Sequence, residues 1–143
     1  AILGEVDFVS IGTNDLTQYT MAADRLLGDL AHLNNPWQPA VLKMIKMTVE
    51  GAQRASVTAG KKKYVSVCGE AAADPALAVV LIGLGVDTLS MNAGAIPAVA
   101  AVLKSVTKEK AQQIAAIALQ QISSAEAKES ARKALPILDE LGL

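Results

Sequence analysis

Residues 8–25 join an apolar, strand-like run to polar side chains suited to binding a metal ion and a phosphate group. The Asp15 carboxylate could coordinate a divalent cation, since Mg²⁺ uses one or two protein carboxylates together with water and substrate oxygens. The Asn14 amide could donate to a phosphate, and the planar guanidinium of Arg25 could bind two of its oxygens. An Asn-Asp pair after a strand is as typical of a purely structural turn or helix N-cap as of a binding site, so both interpretations stay open here.

Cys68, the only cysteine, follows a second strand-like run and precedes Gly69 and Glu70. A thiol is mostly protonated at neutral pH, so Cys68 could donate a proton as a general acid. Gly69 would let a ligand approach the backbone closely, and Glu70 could orient a neighbour or cap a helix. From spacing alone, a buried and unreactive cysteine is the simpler interpretation.

The remaining aromatic and basic candidates are assigned no chemistry. His32, the single histidine, lies in a polar loop, where a surface or supporting role is more typical than catalysis. Tyr19 and Trp37 are interpreted as packing or rim residues, and residues 61–63, three consecutive lysines, as a solvent-exposed turn.

Three short β-like runs must position these side chains, at residues 8–11, 64–67 and 88–91. Each is followed by a polar or glycine-containing turn and then by a helical pattern, which predicts repeated β-loop-α units with parallel strands. The first run is predicted to be a buried strand, and residues 12–15 to form a turn after it. Parallel α/β folds place their chemistry at the carboxyl ends of their strands. The polar residues that follow the three strands should therefore lie together at that end of the sheet, which we call the mouth.

Apolar periodicity and capping residues predict the helices. The predicted segments are 39–59 with a stop at Gly60, 76–84 capped by Asp74 and Pro75, 95–103, 107–121, and a last helix opened by a capping box of Ser123 and Glu126. This last helix carries an apolar stripe of Ala127, Ala131, Leu135 and Leu138, and Pro136 is expected to bend its end.

The predicted fold class is α/β, and three parallel strands cannot close a barrel. A complete (β/α)8 barrel needs about 250 residues, so we expect the C-terminal portion of a TIM-type barrel followed by a helical extension. The predicted organisation is one partial barrel domain over 1–143, with the last β/α units in 1–105 and a helical tail in 106–143.

Composition excludes several classes of function. The 13 basic and 14 acidic side chains give a net charge of -1, which offers no general attraction to nucleic acid. No run of 18 apolar residues occurs in the sequence, so no membrane insertion is expected. A single cysteine excludes an internal disulfide and suits a reducing cytoplasm.

Three segments together resemble the phosphoenolpyruvate-utilising enzymes: residues 10–20 with Arg25, Cys68-Gly69-Glu70, and residues 89–91. The likeness runs from Glu5 into the helical tail and is greatest to the enzyme I family of the bacterial sugar phosphotransferase system. That family has a (β/α)8 barrel that binds phosphoenolpyruvate (PEP) and Mg²⁺ and forms a homodimer. A histidine on a separate N-terminal segment receives the phosphoryl group and passes it to a phosphocarrier protein for sugar uptake.

The resemblance implies a role for each matched residue. Asp15 would be a Mg²⁺ ligand, Asn14 and the Asp15 backbone would bind the phosphate of PEP, and Arg25 would neutralise charge as the phosphoryl group leaves. Cys68 would protonate the methylene carbon of the remaining enolate, which gives pyruvate. With the resemblance, the proton-donor interpretation of Cys68 replaces the packing one.

The family's other Mg²⁺ carboxylate, further arginines and phospho-accepting histidine belong to segments that precede this sequence, and His32 does not lie in that histidine's motif. We therefore expect residues 1–143 alone to be inactive. Pyruvate phosphate dikinase and PEP synthase share the barrel and are the alternatives. Residues 107–143 and the Cys68-Gly69-Glu70 motif favour enzyme I. An alternative of another class is a non-catalytic dimerisation or binding module.

Overall fold

A computed structural model describes residues 2–24 and 26–143. These residues form three strands, nine α-helices and two short 3-10 helices. The strands are β1 (Phe8–Gly12), β2 (Tyr64–Cys68) and β3 (Thr88–Ser90). The helices are α1 (Ile2–Glu5), α2 (Thr13–Met21), α3 (Pro39–Ala59), α4 (Glu70–Ala73), α5 (Pro75–Leu84), α6 (Ile96–Lys104), α7 (Lys108–Leu119), α8 (Ser124–Lys133) and α9 (Ile137–Glu140). The 3-10 helices span Gly28–Leu33 and Ala93–Ala95.

The three strands form one parallel sheet in the order β1-β2-β3. The register pairs Gly12 with Cys68 and Cys68 with Ser90, so the carboxyl ends of all three strands are level. The predicted α/β class with parallel strands is confirmed, and the arrangement is consistent with the last part of a TIM-type barrel.

The two faces of the sheet differ in their surroundings. Val65 and Val67 of β2 are 1% and 0% exposed and belong to the core that the helices build. The opposite face carries three cross-strand rows: Phe8 with Tyr64; Ser10 with Ser66 and Thr88; and Gly12 with Cys68 and Ser90. The helices therefore cover one face of the sheet only.

The prediction that residues 8–11 are buried is wrong for Phe8, whose side chain is 63% exposed. Side chains alternate between the faces of a strand, so Phe8 lies on the face without helices while Ile11 joins the core. Val9 is partly buried against the core.

Helix α3 occupies the predicted range and ends at Gly60, which adopts the left-handed conformation that a helix C-cap requires. The residues of its apolar face are all buried: Val41, Ile45, Val49 and Ala52. Its spacing of i, i+4, i+8 places this face against the sheet and α5.

Asp74 caps α5 as the sequence predicts. Its Oδ1 accepts hydrogen bonds from the backbone N–H groups of Ala76 at 2.9 Å and Leu77 at 3.1 Å. Its Oδ2 also accepts from the indole Nε1 of Trp37 at 3.1 Å, and Trp37 is 2% exposed. One carboxylate thus joins the segment before α3 to the start of α5.

We expect Asp74→Ala to lower the free energy of unfolding by about 1–2 kcal/mol, because it removes a helix cap and a hydrogen bond from a buried indole. Urea unfolding followed by the fluorescence of Trp37, the only tryptophan, measures this change. Asp74→Asn is the matched control, since its amide oxygen still accepts from the helix. Equal stability of Asp74→Ala and the unchanged protein would contradict the prediction.

Helices α5 and α7 pack at very short range around Gly83. A Cβ atom at Gly83 would overlap the backbone carbonyl of Ala111 and lie 2.9 Å from the Cβ of Ala115. A residue with no side chain is therefore required where these two helices cross. Ala111 and Ala115 are themselves buried, so the start of the predicted tail shares the core of the β/α units.

The prediction that residues 61–63 form a solvent-exposed turn is wrong for Lys63, which is 8% exposed. Its Nζ donates to the carbonyl of Val6 at 2.7 Å and is 3.5 Å from the carbonyl of Gly4. An ammonium group at the end of a helix satisfies carbonyls that have no intrahelical partner. Lys63 thus attaches α1, which the sequence did not predict, to the start of β2.

The other two lysines of this turn are exposed and form ion pairs. Lys61 donates to Asp7 at 2.9 Å, and this hydrogen bond lowers the pKa of Asp7 and raises the pKa of Lys61. Lys62 lies 2.6 Å from Asp87, and that hydrogen bond raises the pKa of Lys62.

The C-terminal segment forms two helices, α8 and α9, where the sequence predicts one. Pro136 lacks a backbone N–H and disfavours helical geometry in the residue before it, so the helix stops instead of bending. At the start of α8, Ser123 accepts from the Glu126 N–H at 3.2 Å, and the Glu126 carboxylate accepts from the Ile122 N–H at 3.3 Å. The predicted apolar stripe is buried throughout: Ala127, Ala131, Leu135 and Leu138.

None of the described helices has the length and apolar character to cross a bilayer.

Candidate functional site

The candidate site lies at the carboxyl end of the sheet, where α2 begins directly after β1. The predicted turn over residues 12–15 is wrong, because Gly12 is the N-cap and Thr13 already belongs to α2. Asn14 and Asp15 therefore lie in the first turn of a helix. The helix N-terminus carries a partial positive charge, which favours the Asp15 carboxylate at this position.

Asp15 and Cys68 are both neighbours of Gly12. The Asp15 Oδ2 lies 3.8 Å from the place that a Cβ of Gly12 would occupy, so the carboxylate turns back toward the end of β1. Cys68 is the register partner of Gly12 on the neighbouring strand. Its Sγ donates to the carbonyl of Ile11 at 3.6 Å, and the residue is partly exposed. The structure thus places a carboxylate and a thiol at one mouth.

Gly69 forms the connection between β2 and α4 with φ 91° and ψ -155°, a conformation that side-chain-bearing residues rarely adopt. Its N–H donates to the carbonyl of Ser90 at 3.0 Å, which ties the end of β2 to the end of β3. A Cβ at Gly69 would meet no atom within 4 Å. The space around this position, beside Cys68, is therefore open.

A cleft of about 270 Å³ opens beside the mouth and is lined by Asn14, Thr17, Asn34, Pro36 and Glu70. Three of its polar atoms, the Thr17 hydroxyl and both amide atoms of Asn34, are buried and have no hydrogen-bond partner among the described residues. The hydroxyl of Thr13 is also buried and has no hydrogen-bond partner among the described residues, although Thr13 does not line the cleft.

Thr13, Thr17 and Asn34 were missed by the sequence reasoning. The i, i+4 spacing of the two threonines was an available signal, since it places both on one face of a helix. Nothing in the sequence indicates that the segment after the first 3-10 helix brings Asn34 to that face.

Two further residues were considered from the sequence, Arg25 for the site and His32 for a surface position. Arg25 lies outside the described residues. His32 is exposed at the end of a 3-10 helix, and its Nδ1 is 3.0 Å from the carbonyl of Asp29, in agreement with the predicted surface position.

The residues present fit one edge of a Mg²⁺ site. Asp15 is exposed and makes no hydrogen bond or ion pair with any other described residue, so its carboxylate is free to coordinate a cation. Within residues 2–24 and 26–143, no three His, Cys, Asp or Glu side chains form a metal-binding group. Mg²⁺ keeps several waters and takes oxygens from a phosphate substrate, so one carboxylate is a sufficient contribution from this part of a site.

Comparison with known proteins gives consistent matches over most of the chain. Residues 1–108 match the family model described as "PEP-utilising enzyme, PEP-binding domain". A phosphoenolpyruvate-protein phosphotransferase of Streptomyces coelicolor is 46% identical over 135 residues, which are 94% of this chain and 23% of that protein. Relatives with the same name from Haemophilus influenzae and Bacillus subtilis are 40% and 42% identical over 85% and 76% of the chain, and these regions are 20% and 18% of their lengths.

The chain therefore spans about a fifth of the length of these relatives. The matched region contains Asn14, Asp15 and Cys68, and of these Asn14 also lines the cleft. On the match of residues 1–108, the chain belongs to the family described as "PEP-utilising enzyme, PEP-binding domain".

Proposed function

We propose that this chain is the C-terminal part of the PEP-binding domain of a phosphoenolpyruvate-protein phosphotransferase. In this proposal the phosphoryl group of PEP passes to an enzyme histidine outside residues 1–143 and then to a phosphocarrier protein for sugar uptake, and pyruvate is released. The observation that carries the proposal is the position of both Asp15 and Cys68 beside Gly12, in a chain 46% identical over 135 residues to an enzyme of that name.

Different residues at the mouth would act on the two halves of PEP, and Asn14 and Asp15 would act on its phosphate. Asn14 would donate its amide hydrogens to the phosphate, and Asp15 would hold Mg²⁺, which supplies positive charge to the phosphoryl oxygens when bound. Asp15 and Glu70 are both acidic, so a phosphate would be repelled from this edge without a cation or Arg25. This charge argument supports a cation at Asp15.

Cys68 would act on the organic half of the substrate. Loss of the phosphoryl group leaves the enolate of pyruvate, whose methylene carbon must gain a proton. The thiol S–H of Cys68 would donate that proton to the carbon, and the resulting thiolate would regain a proton from water. The partly exposed position of Cys68 at the end of β2 allows both contact with substrate and this second step.

The proposed complete protein is a cytoplasmic homodimer with a closed (β/α)8 barrel. The uncovered sheet face and the free edges of β1 and β3 are the surfaces that further strands of a barrel would cover. Helix α2 packs against α3, and both carry large exposed apolar side chains, Tyr19 at 81% and Met47 at 61%. Apolar and aromatic side chains of this kind are enriched at protein interfaces.

Three relatives with the same name favour a phosphotransferase over the dikinase and synthase alternatives. A purely non-catalytic dimerisation module does not account for a carboxylate and a thiol placed around one glycine. Residues 1–143 alone are expected to release no pyruvate from PEP, because the phospho-accepting histidine is proposed to lie elsewhere.

A chimera tests the proposal: residues 1–143 replace the matching segment of the Streptomyces coelicolor relative. We expect the chimera to bind PEP with Mg²⁺ and to bind it about tenfold or more weakly after Asp15→Ala, because a ligand to a charged group is lost. Titration calorimetry with Mg²⁺ and with EDTA measures both affinities.

Asp139→Ala is the control, since it removes an equal charge from the exposed surface of α9. It should leave PEP affinity unchanged. An Asp15→Ala chimera that binds PEP with the same Mg²⁺ dependence as the parent chimera would refute the assigned role of Asp15.

A further inference from the structure

A cavity of about 470 Å³ opens at the amino end of the sheet, opposite the mouth. Its walls come from the second half of α3, the start of β2, the end of α5 and the start of α7. Asn14, Asp15 and Cys68 do not line it. Its floor is formed by buried apolar residues of the core: Val49, Ala52, Val65 and Leu84. The cavity therefore offers a ligand an apolar surface that is separate from the proposed active site.

Three lysines line the cavity, and two of them already have partners. Lys63 donates to a backbone carbonyl next to the end of α1 at 2.7 Å. Lys62 lies 2.6 Å from Asp87, whose carboxylate also accepts from the Val65 N–H at 3.0 Å. Lys108 is exposed at the start of α7 and forms no ion pair with any other described residue. Among the described residues, the cavity thus has one uncommitted positive charge.

Amide side chains accompany this charge on the walls of the cavity. Gln112 follows Lys108 by four residues, so the two side chains are neighbours on one face of α7. Gln53 lies on the opposite wall, on α3, and its Nε2 is 3.6 Å from the place that a Cβ of Gly85 would occupy. Ammonium and amide N–H groups donate to a carboxylate, and the hydrogen bond from the charged group is the stronger one. Lys108 and Gln112 together therefore suit the head group of an organic acid.

The charge and the walls together limit the kind of ligand. One uncommitted ammonium group matches one negative charge, and the Asp87 carboxylate in the lining would repel a second one. The floor favours a hydrocarbon body, because burying apolar surface is favourable and burying a polar group without a partner is costly. A nucleotide or a sugar phosphate carries two or more negative charges and a polar body, so neither meets these conditions.

We propose that this cavity binds a small organic monoanion, a monocarboxylate with a hydrocarbon chain of about five to eight carbon atoms, a size that suits a cavity of this volume. The carboxylate would accept from Lys108 and Gln112 at the exposed rim. The chain would lie on the floor, against Val65 and Leu84. The proposal does not require that PEP binds at the mouth, and it is tested on residues 1–143 without PEP.

The test is a titration of ¹⁵N-labelled residues 1–143 with sodium hexanoate, followed by the amide chemical shifts in NMR spectra. We expect saturable shifts at Gly83, Gly85 and the start of α7, with a Kd on the order of 1 mM for so small a ligand. Hexylammonium, hexanamide and glutarate are matched probes that carry one positive charge, no charge and two negative charges. Each of them should bind at least tenfold more weakly than hexanoate.

Two variants should weaken hexanoate binding at least tenfold, and both change exposed side chains outside the core. Lys108→Gln removes the charge that binds the carboxylate, whereas Lys108→Arg should keep the affinity. Val57→Glu places a negative charge at the rim, where the Val57 side chain is exposed. Lys104→Gln is the control, since it removes an equal charge from the exposed end of α6, outside the cavity. The amide spectrum of each variant without hexanoate shows that it is folded.

The outcomes separate a site for monoanions from an apolar surface that binds any hydrocarbon chain. Shifts around Gly85 that are lost in Lys108→Gln and kept in Lys104→Gln support the proposal. It is overturned if hexanamide binds as tightly as hexanoate, or if Lys108→Gln keeps the affinity for hexanoate. Shifts confined to the mouth, around Gly12 and Cys68, would also overturn it, because hexanoate would then occupy the proposed PEP site. A failure here leaves the proposed function untouched, since that function is tested by PEP binding to the chimera.

Discussion

Replacing Cys68 by alanine is expected to lower the rate of pyruvate formation by the chimeric phosphotransferase about 100- to 10,000-fold, the usual contribution of a positioned general acid. The affinity for PEP and Mg²⁺ should change little, because Cys68 is assigned to the enolate and not to the phosphate. A coupled assay of pyruvate release, combined with calorimetric PEP binding, separates the two effects.

Ser66→Ala is the matched control for Cys68→Ala. Ser66 lies two residues earlier on β2, on the same open face, and its hydroxyl donates to the carbonyl of Val9 at 3.3 Å. Its loss should leave turnover close to that of the parent chimera. A Cys68→Ala chimera that releases pyruvate at the parent rate would show that another group protonates the enolate.

Gly83→Ala is expected to lower the free energy of unfolding by about 3 kcal/mol. The added methyl group would overlap the Ala111 carbonyl, which is backbone and cannot move without shifting α7. This cost exceeds the roughly 1 kcal/mol that alanine gains over glycine inside a helix. Urea unfolding followed by circular dichroism measures the difference.

Gly51→Ala is the control, because Gly51 also lies inside a helix, α3. Its added Cβ would meet the end of the Leu3 side chain at 3.1 Å, and that side chain is flexible enough to move. The change at Gly51 should be near zero. If both variants unfold at the same urea concentration, the packing of α5 on α7 tolerates a side chain and the structural argument fails.

Helices could be predicted from the sequence where an apolar stripe or a capping residue marks them clearly. Helix α3 has a clear apolar stripe and a terminal glycine, and α5 has an Asp-Pro cap, so their ends follow from the sequence. Helix α2 was missed because its sequence, TNDLTQYTM, is polar and has no clear apolar stripe. Its helical state depends on its position between β1 and α3.

Tertiary contacts explain the other differences. Lys63 is buried because it meets carbonyls 57 and 59 residues earlier in the chain, a contact that no local pattern indicates. For the site, residue types and the family motif led to Asp15 and Cys68. The buried, unpartnered state of Thr17 and Asn34 arises only when two separate segments approach each other, so it could not be predicted from either.

The hydroxyl row Ser10-Ser66-Thr88 also restricts how this sequence can change over evolution. Three small side chains cross the middle of the uncovered face, so in the proposed barrel the strands that close over it must fill the space with bulkier groups or with ordered water. Enlarging one of these serines would require a compensating reduction on the opposite wall. Pairs of such substitutions should therefore covary between this segment and the rest of a full-length protein, which makes them useful markers of strand order.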